Sequence, residues 1–187
     1  AARSAADTLA ELGSGTSDKT RILLDALRDA GTITRFVPFD VSEETLRDAA
    51  DKVHHDYPMV HVHAVVGDFE HHLDSIPGGG RRLVAFLGGT IGNLFPEERA
   101  TFFGELRGTL SPGEWLLLGT DLVKDPGVLV PAYDAAACVP AAFTRNVLAV
   151  LHRELGADFH VRSPQHGALR ASANEGNQAE LRAEGRC

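Results

Sequence analysis

Glu11-Leu12-Gly13-Ser14-Gly15-Thr16-Ser17-Asp18-Lys19 joins a short apolar run, Thr8-Leu9-Ala10, to an amphipathic pattern that begins just beyond it. The order is strand, tight glycine turn, helix, which is the first unit of a nucleotide-handling α/β fold. The two glycines let the backbone turn sharply and let a ligand approach where a Cβ would stand in the way. A lone Gly-x-Gly also fits an ordinary strand-to-helix turn, so its weight depends on the chain around it.

Downstream of the turn, Asp18 to Ala30 reads as a helix with Ile22, Leu23, Ala26, Leu27 and Ala30 on one face, ended by Gly31. Thr34 to Phe39 reads as a buried strand closed by Asp40. An acid at the end of the second strand is the position that bonds ribose hydroxyls in adenosine-binding α/β folds; a solvated carboxylate at a strand end is the alternative. Ser42 is placed to cap the next helix, with Glu43 and Glu44 in its first turn and Leu46, Ala49, Ala50 and Val53 as its apolar stripe. Met59 to Val66 reads as a third strand, followed by Gly67-Asp68-Phe69-Glu70. A carboxylate beside an aromatic ring at a strand end suits an adenine, as acceptor for its amine and as a surface for its plane. Asp68 also fits as a simple helix cap, and one residue can do both.

Arg82 to Leu87 is almost wholly apolar, as in a sheet covered on both faces, and it ends in Gly88-Gly89-Thr90-Ile91-Gly92-Asn93. Asn93 both donates and accepts, which suits a zwitterionic substrate. Pro96, Glu97 and Glu98 open a helix carrying Phe102, Phe103, Leu106 and Leu110, and Trp115 to Leu118 forms a fifth strand. From Lys124 two helical stretches follow without a strand between them, Gly127 to Ala137 and Ala141 to Leu155. The expected organisation is a core over 1–123, the start of a second, mainly helical substrate-binding element over 124–159, and a tail over 160–187. That tail holds only Val161, Leu169 and Leu181 as large aliphatics, so it is expected to be disordered. The first strand lies so close to Ala1 that a preceding segment is expected to be missing.

Composition narrows the function classes. With 187 residues and 43% hydrophobic content the chain supports a real core. A formal charge of -8 argues against nucleic acid as a partner, because phosphate binding needs a basic face. No apolar run approaches the ~20 residues of a membrane span, and the opening residues lack the basic-then-apolar order expected of a signal peptide. Cys138 and Cys187 are too far apart in sequence to form a metal-type pair, which points to a reduced, cytoplasmic setting. His61 and His63 share a strand face, but no set of three or four ligands can be read, and no metal is expected. A monomer is expected.

Charge also discriminates between cofactors. A dinucleotide fingerprint would place its third glycine at position 18; Asp18 stands there and would repel a pyrophosphate. No Gly-Lys-Ser/Thr follows the turn, so a P-loop is absent. S-adenosylmethionine has adenosine and ribose but no phosphate, and its sulfonium is cationic. An acidic pocket suits it, so the residues favour a methyltransferase.

Five motifs carry a resemblance: residues 11–20, Phe-Val-Pro-Phe-Asp at 36–40, Gly-Asp-Phe-Glu at 67–70, Phe-Leu-Gly-Gly-Thr-Ile-Gly-Asn-Leu at 86–94 and Leu-Gly-Thr-Asp-Leu-Val-Lys-Asp at 118–125. With Ala132-Tyr133-Asp134 and Phe143 to Leu148, they resemble the histidine-specific methyltransferases of ergothioneine biosynthesis. The resemblance implies a Rossmann-like sheet of class I SAM-dependent methyltransferases, here incomplete. It implies S-adenosylmethionine as cofactor and trimethylation of the α-amino group of L-histidine to hercynine. It implies that Gly13 and Lys19 line the methionine part of the cofactor, Asp40 its ribose, and Asp68 with Phe69 its adenine. Asn93 and Tyr133 would hold the amino-acid head of the substrate. No residue is assigned as catalytic acid or base. The match is read as stopping after Phe159, leaving 160–187 as a divergent tail without the family's imidazole-gripping part.

Overall fold

The computed structural model describes residues 4–122, 125, 139–156, 164–171 and 176–183. The chain divides into two compact units, Ala1–Asp121 and Leu122–Cys187. The first is built on β1 (Thr8–Leu12), α1 (Thr20–Asp29), β2 (Arg35–Asp40), α2 (Glu43–Asp56), β3 (His61–Val62), β4 (Val65–Val66), β5 (Arg82–Phe86), α3 (Pro96–Thr109) and β6 (Trp115–Leu118). Short 3-10 segments lie at Leu73–Ser75 and Thr90–Asn93.

The sheet is parallel throughout, in the order β3-β2-β1-β5-β6, with β4 also on β2. β1 is central. The chain leaves it to one side to make β2 and returns on the other to make β5, so the tip of β1 is the point where strand order reverses and ligands bind. Side-chain alternation divides the core into two layers. Leu9, Phe36, Leu83 and Ala85 pack with Leu24 and Leu27 of α1 and Val53 of α2. Ala10, Leu12, Val37, Phe39, Val84 and Phe86 pack with Phe102 and Leu106 of α3. Each fully buried aromatic here contributes about 1.5–3 kcal/mol from burial.

In the first unit, α1 and the third strand depart most from their sequence reading. α1 starts at Thr20 rather than Asp18 because Ser17 has a left-handed φ of 58°, which a helix cannot include. The third strand is split into β3 and β4, although both pieces keep the same register against β2: Arg35 opposite His61, Asp40 opposite Val66. Pro38 lies opposite the gap. It has no N–H to give to the ladder, so pairing lapses there and resumes two residues on.

In the second unit α4 (Val139–Leu155) lies beside a two-stranded antiparallel ladder of β7 (Pro164–Ala171) and β8 (Gly176–Ala183). Within the tail expected to be disordered over 160–187, the described residues 164–171 and 176–183 are paired strands. An antiparallel ladder is closed by backbone groups, so eight-residue strands can pair, Pro164 with Ala183 through Ala171 with Gly176, where a count of large aliphatics finds nothing. The expected helix at 127–137 lies outside the described residues.

Candidate cofactor site

The glycine turn is tied directly to the end of β2. The N–H groups of Gly13 and Ser14 both donate to the Phe39 carbonyl, at 2.8 and 3.1 Å. Gly13 and Gly15 have φ of 67° and 49°, and space for a Cβ is open at both. The glycines are thus needed for backbone shape, and Gly13 is exposed to an approaching ligand. The Gly15 N–H donates to Asp40 Oδ2 at 2.9 Å, and the Ser42 N–H donates to Asp40 Oδ1 at 3.0 Å. Asp40 therefore holds the turn after β1 and the start of α2 together. A carboxylate accepts about four hydrogen bonds, so capacity for two hydroxyls remains. Ser42 caps α2 as expected, its hydroxyl accepting from the Thr45 N–H at 3.4 Å.

Inside the same turn the hydroxyls of Ser14 and Ser17 are buried and bond no other group. Buried polar atoms are normally satisfied, so this turn is short of polar partners that a ligand or water would supply. Lys19 sits exposed at the N-cap of α1.

Glu11 was quoted in the sequence motif without a role. It points to the α1 side of the sheet, is only 4% exposed, and accepts a hydrogen bond from the Thr20 hydroxyl at the first residue of α1. Burial pushes its carboxyl up to about 7, against the opposing influence of the Thr20 bond and the Lys19 charge. The available signal was an acid inside a strand whose five positions are all buried.

Asp68 lies one strand further out. The Gly67 N–H donates to the Asp40 carbonyl at 2.9 Å, which sets the two acid-bearing strand ends side by side. Asp68 Oδ1 accepts from the Glu70 N–H at 2.9 Å, and Oδ2 lies 3.2 Å from Nδ1 of His71. The Glu70 amide, with His71, holds this carboxyl below the usual carboxylate range. Phe69 has its ring 5.0 Å from Phe86 and 5.9 Å from Phe102, packed against the core, with part of it still accessible. Asn93 ends the 3-10 segment after β5 and is exposed, at the same edge of the sheet. The structure therefore brings together Gly13, Gly15, Asp40 and Asp68, leaves Lys19 and Asn93 on the same rim, and sets the Phe69 ring mainly inward. Tyr133 lies outside the described residues. Among the described residues no group of three His, Cys, Asp or Glu side chains is placed to hold a metal, and no helix is long and apolar enough to cross a membrane.

A family model described as histidine-specific methyltransferase, SAM-dependent, matches residues 1–186. The chain belongs to this family. The match runs through β7 and β8, which corrects the expectation that the family pattern ends at Phe159. The histidine N-alpha-methyltransferase of Mycolicibacterium smegmatis is 58% identical over 182 residues, 97% of this chain and 57% of that protein. That of Mycobacterium tuberculosis is 58% identical over 181 residues, 97% of this chain and 56% of that protein. The chain thus spans a little over half the length of these curated relatives. A solved S-adenosylmethionine-dependent methyltransferase from Clostridium acetobutylicum matches with a TM-score of 0.50 at 14% identity, covering 66% of this chain and 46% of that one. The fold is accordingly that of the class I methyltransferases, as the histidine-specific family requires.

Proposed function

We propose that this chain binds S-adenosylmethionine at the tips of β1, β2 and β4 and takes part in methylating the α-amino group of L-histidine, three times, to hercynine. The observation that carries the reading is the geometry of Asp40. Its carboxylate is anchored by the Gly15 and Ser42 amides with two acceptor positions to spare, beside an exposed glycine and two buried hydroxyls without partners. Membership of the SAM-dependent family and the names of the mycobacterial relatives support the same reading. When bound, the cofactor supplies an electrophilic methyl group on a cationic sulfur.

In this reading Asp40 takes the ribose hydroxyls, Asp68 the adenine amine, and Phe69 the edge of the base. Gly13 and Lys19 lie along the methionine part, and Asn93 and Tyr133 receive the amino-acid head of histidine. The methyl transfer would need no strong base, since the attacking amine is neutral; the ammonium proton lost before each of the three transfers would pass to solvent. The residues contribute orientation, which converts a bimolecular step into an effectively unimolecular one. The partner is a small-molecule amine, and a cytoplasmic monomer completes the reading.

Calorimetry with S-adenosylhomocysteine, followed by transfer of labelled methyl from the cofactor to histidine and to a panel of other amines, tests the proposal. Binding that is weakened in Asp40→Ala, with label entering histidine ahead of the other amines, is the expected result. No binding, or equal labelling of unrelated amines, would defeat it.

A further inference from the structure

The turn after β4 is closed by a histidine to which the cofactor site gives no role. The Asp68 amide N–H donates to Nδ1 of His72 at 3.1 Å, and the His72 amide donates back to the Asp68 carbonyl at 2.8 Å. A backbone amide is always a donor, so Nδ1 of His72 must present its lone pair and the ring proton must sit on Nε2. His72 is exposed, but Gly67 beside it is confined: a Cβ placed there would stand 3.2 Å from the His72 Cβ and 2.8 Å from the Phe39 ring. The turn, the histidine and the buried end of β2 therefore meet with no room for another side chain.

We infer that His72 is a positioning residue for the Asp68 turn, its neutral imidazole holding the Asp68 backbone so that the carboxylate faces the adenine, with protonation of the ring weakening cofactor binding. The inference rests on the proposed adenine-binding role of Asp68. Protonation turns Nδ1 into a donor facing a donor. The ring must swing away, the Asp68 amide loses its partner, and the imidazolium is left near the carboxylate that the adenine amine would use. The ionisable side chains of the turn and of the 3-10 segment behind it are Asp68, Glu70, His71 and Asp74. β2 presents the uncharged Phe39 to Gly67 and ends in the Asp40 carboxylate beside this turn, and α3, packed behind, presents Phe102 to Phe69. His71 and Glu11 are the competing sources of pH dependence: a protonated His71 ring strengthens the contact with Asp68 Oδ2, and the Glu11 carboxyl at the glycine turn is pushed up to about 7, so the titrations are repeated in a Glu11→Gln background.

Single substitutions separate the two histidines. S-adenosylhomocysteine is titrated calorimetrically into the full chain at about pH 8 and about pH 5.5, a range that brackets imidazole titration. The unsubstituted chain is expected to bind on the order of tenfold more weakly at the acid end, the effect of one lost hydrogen bond. His72→Asn places a non-titrating oxygen where Nδ1 stood and is expected to bind equally at both pH values. His72→Ala is expected to bind weakly at both, and His71→Asn to keep the acid loss. Persistence of the acid loss in His72→Asn, or its disappearance only in His71→Asn, overturns the inference. Long-range proton–nitrogen NMR of the free chain reads the ring tautomer without any cofactor; a proton on Nδ1 of His72 also overturns it. If the Nε2–H tautomer is found and the unsubstituted chain binds nothing at either pH, the adenosyl site itself fails, and the role of His72 falls with it.

Discussion

Carboxylates at the two ends of the parallel sheet are treated differently. At the N-terminal end, Glu114 lies just before β6 and faces Arg82, the first residue of β5, their side chains 3% and 5% exposed. Glu114 Oε1 accepts from Arg82 Nε at 2.6 Å and from the Arg82 amide at 3.3 Å. Its Oε2 accepts from Arg82 Nη2 at 2.7 Å and from the Ser111 amide at 2.6 Å. Arg82 also donates to the Thr109 carbonyl. All four acceptor positions of that carboxylate are used. At the C-terminal end Asp40 and Asp68 each use two, and Ser14 and Ser17 use none. One end is closed on itself and holds the strands together; the other keeps valence for something that is not protein.

The contrast is sharpest in stability. Glu114→Ala strands a buried guanidinium and is expected to cost about 3–5 kcal/mol in chemical denaturation, since one partner of a buried pair is lost. Cofactor affinity of the folded fraction should be unchanged, and a matching loss of affinity would erase the distinction between the ends. The Arg82 bond holds the Glu114 carboxyl below its usual range, so this contribution is present at neutral pH and is lost as pH falls through that lowered value.

Glu11 runs the other way. Its carboxyl rises from 4.5 to about 7 on folding, so between those values the folded chain binds more proton than the unfolded chain and stability falls as pH rises. Glu11→Gln should therefore gain on the unsubstituted chain by up to about 3 kcal/mol between pH 4.5 and pH 7.5, measured as the difference between two denaturation series. A pH-independent difference would mean that Glu11 is ionised throughout and belongs with the closed end. Asp40→Ala is expected to weaken S-adenosylhomocysteine by roughly 1.5–3 kcal/mol, the range for hydrogen bonds to a charged group. Its cost in melting should be smaller, because both amides that it holds lie at a partly open surface. Ser42→Ala, which removes a long cap bond and the exposed bond from the Ser42 hydroxyl to the Thr45 hydroxyl, should cost about 0.5–1 kcal/mol of stability and leave binding nearly untouched.

The open end was the more legible of the two in the sequence. Gly13, Gly15, Asp40 and Asp68 sit at strand ends, where local pattern alone singles out positions for the proposed binding role, and short spacings reveal them. The Arg82–Glu114 pair joins residues 32 apart and has no local signature. Glu11 was hidden by its motif, since an acid beside the glycines reads as part of the turn rather than as a buried group. The break between β3 and β4 required knowing that Pro38 would lie opposite Ala64, a fact of register rather than of composition. The β7–β8 ladder was missed because small and polar residues pair through their backbones as well as aliphatics do.

The bond from the Gly67 N–H to the Asp40 carbonyl acts as a fixed caliper. It spans main chain on both sides and sets the spacing of the two strand ends that carry Asp40 and Asp68. In the proposed assignment, a ligand gripping both must match that spacing with its own sugar-to-base distance. Selection at this pocket is then a measurement of length before it is a test of charge.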